Sequence, residues 1–302
     1  MNGQFPITGT FINEITYDIP TSNWSYEQWE EDLDNMKEVG IDTVIFIRGG
    51  YKDKLIYPSL HFDNIYKNDL LGFILKAAEK RGMNVFVGLY TTNLNWQNGN
   101  AAAEIDKNRF FIKEVMERYG DSSAFVGWYI PHEVDVDRLN ITQVMSGLSA
   151  ICKEAAPEKS VLISPFFRTA ETDPRNPMTP EQVYDEWDSI FSRCAENIDI
   201  CAFQDGTAPV LQLDKYLGKI KELCDKYNIH HWVNTELFER DPRRVYYPIP
   251  FEQLRAKLEK SMPLAEKAIC FEFSHFLSPQ SIYPSARGLN RLYKAYYGKR
   301  EI

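Results

Sequence analysis

The chain has 302 residues, 44% hydrophobic, 14% aromatic and 25% charged, with a formal net charge of −9. That length can bury a large core. The acidic balance, with no basic stretch longer than Lys299-Arg300, argues against nucleic acid or an anionic membrane surface as partner, and no apolar run approaches the ~18 residues of a membrane span. The five cysteines, Cys152, Cys194, Cys201, Cys224 and Cys270, are scattered without a Cys-x-x-Cys pair, which speaks against a zinc ribbon or redox motif. The start, "MNGQFPITGTF", lacks a charged head, an apolar middle and a cleavage site. The location stays open: periplasmic or extracellular for a trimmed mature form, cytoplasmic otherwise.

In chain order, the first strand-like segment is "ITGTFINEI" from Ile7. Ser25 and Gln28 then form a capping box ahead of a helix ending at Gly40. "DTVIFIRGG" from Asp42 precedes the helix "LLGFILKAAEKRG", and "NVFVGLYTT" from Asn84 precedes "FFIKEVMERYG". Gly82 and Gly120 are expected as left-handed stops of those two helices. "AFVGWYIPHE" from Ala124 and "SVLISPFF" from Ser160 follow, and Thr179-Pro180 opens the helix "EQVYDEWDSIFSRCAE" with an N-cap and a proline at its first position. "IDICAFQDG" from Ile198, the one-striped helix "VLQLDKYLGKIKELCDKYN", "HHWVNTELF" from His230 and "AICFEFSHF" from Ala268 complete the series.

The eight strand starts recur roughly every 32 to 42 residues, about one β-α unit each. Near-continuous apolar strands alternating with amphipathic helices imply a parallel sheet covered on its outer face. The pattern predicts a single (β/α)8 barrel over residues 1–302, with a doubly wound open sheet as the alternative. Longer insertions follow strands around 48–66, 91–103, 168–178 and 239–250.

In such a barrel the C-terminal ends of the strands converge on one mouth. The residues expected there are Asn13 and Glu14, Arg48, Tyr90, His132 and Glu133, Arg168, Gln204 and Asp205, Asn234 and Glu236, then Glu272 and His275. Any one of them is compatible with a solvated loop residue or an ion pair, and Arg48 and Glu272 would neutralise one another. A whole ring of ionisable groups costs desolvation, however, and function is a common reason to retain one. Glu133 and Glu236 end the fourth and seventh strands, on roughly opposite sides of the mouth. Two carboxyls across a cleft are what glycoside cleavage requires, one donating a proton and one ionised. Arg48 is expected to keep Glu236 ionised and His132 to orient Glu133.

The arrangement resembles the large clan of (β/α)8 glycoside hydrolases with the acid/base on strand four and the nucleophile on strand seven. That resemblance implies Glu133, in "PHE", as acid/base, Glu236, in "NTE", as nucleophile, and Arg48 as the arginine that supports it. His132 stands where the clan usually has asparagine. "GTFINE", "GIDTVIFIRGG" and "GWYIPHE" are also similar to a bacterial domain family of unassigned function, provisionally grouped with glycosyl hydrolases.

Trp24, Tyr51, Tyr90, Trp96, Tyr246 and Tyr247 follow strand ends or lie in long loops, where aromatics would stack on pyranose faces or pack under the loops. "ERDPRRVYYP", 239–248, reads as a salt-bridged loop or a contact for an acidic sugar. The expected function is a retaining glycoside hydrolase with a carbohydrate substrate and no cofactor; Glu14, Arg48, Tyr90, His132, Gln204, Asp205, Asn234, Glu272 and His275 would bind the substrate. Two alternatives stand beside it. One is a metal-dependent isomerase or hydrolase using His132, Glu133, Asp205, Glu236 and His275 as ligands; the other is a non-catalytic glycan-binding barrel. The oligomeric state is not legible.

Overall fold

The computed structural model describes residues 5–16, 21–66, 68–92, 94–240 and 245–298. Eight parallel strands close into a barrel, each paired with its neighbours in sequence and the last with the first. They are β1 (Ile7–Ile12), β2 (Thr43–Phe46), β3 (Asn84–Gly88), β4 (Phe125–Ile130), β5 (Ser160–Ile163), β6 (Ile200–Gln204), β7 (His230–Glu236) and β8 (Lys267–Phe271). Each overlaps its predicted segment.

The outer layer holds α1 (Tyr26–Glu38), α2 (Leu70–Arg81), α3 (Ala101–Tyr119), α4 (Ile141–Ala155), α5 (Pro180–Cys194), α6 (Leu213–Tyr227), α7 (Phe251–Ser261) and α8 (Pro284–Tyr297). Ser25 and Thr179 form the capping boxes that start α1 and α5, and Gly82 ends α2 in the left-handed region. Gly120 departs from expectation. It stays right-handed at φ −57°, and a Cβ there would stand 2.5 Å from the Met116 carbonyl oxygen, so glycine is required by close approach rather than by handedness. None of the described helices is long and apolar enough to cross a membrane.

Period-2 alternation divides the strand side chains between two cores. Phe11, Ile45, Phe86, Tyr129, Leu162 and Ile269 belong to a compact cluster filling the barrel interior. The opposite faces join a much larger cluster between barrel and helices, with Trp29, Trp128 and Trp187 fully buried. The five cysteines are buried and unpaired; burial pushes the Cys194 and Cys270 thiols up to about 12, which leaves them inert as nucleophiles at neutral pH.

Several insertions acquire structure. Gly50–Tyr51 pairs antiparallel with Lys54–Leu55 and parallel with Tyr90–Thr91. Phe238–Arg240 pairs with Tyr246–Pro248, and helix α3 takes up the end of the predicted 91–103 loop. Asp241, Pro242, Arg243 and Arg244 of the "ERDPRRVYYP" stretch, and Lys299-Arg300, lie outside the described residues.

Candidate active site

A cavity of about 160 Å³ opens at the C-terminal mouth of the barrel, and both Glu133 and Glu236 line it. Parity explains which other strand-end residues reach it. Counting in twos from interior residues, Phe11 leads to Asn13, Tyr129 to Glu133, Ala202 to Gln204, Asn234 to Glu236 and Ile269 to Phe271; all of these endpoints, together with Asn234, face the cavity. Arg48, Ile47, Thr16, Phe238, Arg240 and Tyr246 complete the wall.

Glu133 is half-buried, and the fully buried Tyr129 hydroxyl donates to its Oε1 at 2.7 Å. Glu236 is 6% exposed. Burial pushes its carboxyl up to about 7. Lys257 and Arg240 pull it down, whereas the negative charges of Asp205 and Glu133 add to the rise. Gly206 forms the bed of this carboxyl, because a Cβ there would fall 1.8 Å from Glu236 Oε2. Asp205 lies behind Glu236. Its Oδ1 accepts from the Glu236 backbone N–H at 2.9 Å and from Lys257 Nζ at 2.8 Å, and the same ammonium donates to the Glu236 carbonyl at 2.9 Å.

Polar groups on the β1, β5, β6 and β7 side are held in place. Asn234 Nδ2 donates to Ser164 Oγ at 3.0 Å, and Gln204 Nε2 donates to the Ser164 carbonyl at 2.7 Å. Asn13 Oδ1 accepts from the Thr16 hydroxyl at 2.5 Å.

Several expected site residues lie elsewhere. His132 has the opposite parity to Glu133 and turns outward, its Nε2 2.8 Å from Glu104 Oε1 on α3. It therefore braces α3 rather than orienting Glu133. Burial would raise Glu104, but the hydrogen bond and charge of His132, with Thr92, hold it below the usual carboxylate value, so the imidazole Nε2–H is the donor. Glu272 also turns outward, pairing with His275 rather than Arg48; His275 sits on a short helix at Phe273–Phe276, past the strand end. Tyr90 is 4% exposed and packs on Phe62 and Phe111 with its hydroxyl on the Lys52 carbonyl. Asp205 is a support beneath the cavity, not part of its wall.

Glu14 opens into a separate pocket with Trp24, Trp29 and Tyr66, and burial raises it to about 8 against the Thr21 hydrogen bond. Arg168 is tied to Asp135 at 2.9 Å. Among the expected aromatics, Tyr246 reaches the cavity, whereas Trp96 packs edge-on against His132.

The metal-ligand set does not assemble, because His132, Asp205 and His275 each turn to a different partner. Among the described residues no group of three or more His, Cys, Asp or Glu is arranged to hold a metal ion. Lys257 and Arg240 pull Glu236 down, and Arg48 lines the same cavity. Sequence reading missed Tyr129, Lys257 and Gly206. Tyr129 was findable four residues before Glu133 on the same face, and Lys257 by its place on the buried stripe with Leu254, Leu258 and Ser261.

The chain is similar to a protein of Bacteroides thetaiotaomicron provisionally named an alpha-L-fucosidase, at 36% identity and TM-score 0.93, over 99% of this chain and 97% of that one. It shares its fold with an endo-1,4-beta-D-mannanase from Thermotoga petrophila, at 12% identity and TM-score 0.60, over 96% of this chain and 100% of that one. An intracellular xylanase from Thermoanaerobacterium saccharolyticum is also similar in fold, at 12% identity and TM-score 0.54, over 89% and 85%. No curated protein matches the chain. A family model matches residues 7–283, and the chain belongs to that family, described as a domain of unknown function, DUF4434.

Proposed function

We propose that the chain is a glycoside hydrolase that cleaves a glycosidic bond with Glu133 and Glu236, with retention of configuration. The observation that carries the reading is the pair of carboxyls in one cavity, on strands β4 and β7, amid amide side chains and aromatic rings. The provisional fucosidase name of the 36%-identical relative and the xylanase and mannanase names of two fold neighbours point the same way.

In this scheme Glu133 donates its proton to the leaving oxygen while ionised Glu236 attacks the anomeric carbon. Glu133 then removes a proton from the water that releases the sugar. The Tyr129 hydroxyl holds Glu133 in place through both steps. Gly206 lets the Glu236 carboxyl lie flat against the β6 loop, and Lys257 fixes the backbone beneath it. Asn234, Gln204 and Asn13 offer hydrogen bonds to sugar hydroxyls, and Phe238, Tyr246 and Phe271 offer apolar faces to its C–H side.

The test is hydrolysis of aryl glycosides with the anomeric configuration of the first-formed product read by NMR. Retention supports the double displacement; inversion replaces it with a single displacement by water. The pH profile of kcat/KM separates the roles, since it reports the free enzyme. A nucleophilic Glu236 must lose its proton, so activity should rise through pH 7. A fall through pH 7 would make Glu236 the acid instead. Glu133→Gln abolishes turnover in a hydrolase; a variant that binds glycan as the parent does, where the parent itself shows no turnover, identifies a pure binder.

A further inference from the structure

Two guanidinium groups share the cavity wall with the two carboxyls, those of Arg48 and Arg240. Six of the other described arginines pair with a carboxylate, among them Arg81 with Asp34 at 2.7 Å, Arg168 with Asp135 at 2.9 Å and Arg193 with Asp137 at 2.8 Å. Arg118, Arg175, Arg287 and Arg291 show no ion pair among the described residues but are exposed and lie outside the cavity. Arg48 and Arg240 make no ion pair or side-chain hydrogen bond among the described residues, although the chain carries 43 acidic residues. The buried Nε of Arg48 has no acceptor among the described residues.

Aromatic rings position both groups. The Arg48 guanidinium lies 5.7 Å from the centre of the Tyr51 ring. That of Arg240 lies 5.4 Å from Phe238 and 5.2 Å from Tyr246. A guanidinium held through its face keeps its N–H edge available, and that edge matches a planar carboxylate in two parallel hydrogen bonds. Lys257, the other cation near Glu236, is already committed to Asp205 and the Glu236 carbonyl.

We infer that the substrate carries a carboxylate, as a uronic acid unit does, and that Arg48 and Arg240 receive it at the cavity wall. The inference rests on the hydrolase reading above and adds the class of sugar. A neutral pyranoside offers no hydrogen-bonded anion to half-buried Arg48 or exposed Arg240, whose charges then face only the catalytic carboxyls of the same wall. An acidic one neutralises them and is shielded by them from repulsion by Glu133 and Glu236.

The test uses the full chain carrying Glu133→Gln, so that bound sugars persist, and calorimetric titration with methyl glucuronide and methyl galacturonide. Methyl glucoside, methyl galactoside and galactose 6-sulfate are the comparison ligands. The uronides should bind roughly tenfold or more tightly than the neutral sugars, a preference that weakens with salt. Arg240→Gln and Arg48→Gln should each reduce that preference, lowering the affinity for the uronides more than that for the neutral sugars. Arg48→Lys keeps the charge without the fork and should recover only part of it. Equal or tighter binding of neutral sugars overturns the inference and leaves the hydrolase reading standing, as does an undiminished preference in both glutamine variants. Tighter binding of the sulfate ester overturns the carboxylate assignment. Failure to bind any pyranoside, charged or neutral, removes the hydrolase reading and this inference with it.

Discussion

Two sets of polar residues leave the same strand ends and meet different fates. Asn13, Glu133, Gln204 and Glu236 continue the interior face and line one cavity. Glu14, His132, Asp205 and Glu272, each one residue out of step, leave that face. His132 meets Glu104, Asp205 meets Lys257 and Glu272 meets His275, whereas Glu14 faces a small aromatic pocket. The first set is left open to a ligand; most of the second is neutralised by partners from the helical layer or the following turn. One step along the chain thus separates chemistry from architecture, because side chains alternate across a strand.

The largest expected effect tests that division directly. Glu133→Gln and Glu236→Gln should each lower kcat/KM by about 10²–10⁴-fold with melting temperatures close to the parent. His132→Gln, adjacent in sequence, should instead cost about 1 kcal/mol of stability by weakening the hydrogen bond to the buried Glu104 carboxylate, and retain activity per folded molecule. An activity loss in His132→Gln matching that of Glu133→Gln, measured on folded protein, would break the comparison.

Lys257→Met removes the partner of fully buried Asp205 and should cost about 3–5 kcal/mol in denaturant titration. It also removes the first of the charges that pull Glu236 down, so the limb of the pH profile near 7 should move upward. An unmoved limb would show that Lys257 supports only the fold. Gly206→Ala sharpens the contrast further. The added methyl would displace the Glu236 carboxyl, and such a shift should lower kcat/KM about 10²-fold while stability changes little.

The smallest effect concerns Glu14. Its carboxyl is held up to about 8 against an ordinary 4.5, so the folded chain binds that proton more tightly than the unfolded one does. The resulting stabilisation is complete below about pH 4.5 and is lost as the pH climbs through 8. Glu14→Gln should therefore raise the melting temperature near pH 9 and leave it unchanged near pH 4. A gain of equal size at both pH values would assign the effect to packing rather than to charge.

The sequence by itself determined the barrel and the two carboxyls. Eight apolar strands at a regular spacing, each followed by an amphipathic helix, have few other ways to bury both faces of a parallel sheet, and "PHE" and "NTE" sit where two strands run out of apolar residues. The parity that sorts Glu133 from His132 was also present in the chain, starting from Tyr129, but it needed the interior face to be known first.

Other features depended on contacts made across the fold. Glu104 and His132 are 28 residues apart, Asp205 and Lys257 are 52 apart, and no local pattern pairs them. Tyr90 keeps an interior parity yet is sealed beneath the 48–66 insertion, while Arg48 lacks it and reaches the cavity because the strand has already ended at Phe46. Strand alternation holds only while the strand lasts. Beyond its end, the packing of loops and helices decides which charge is neutralised and which is left to meet a substrate.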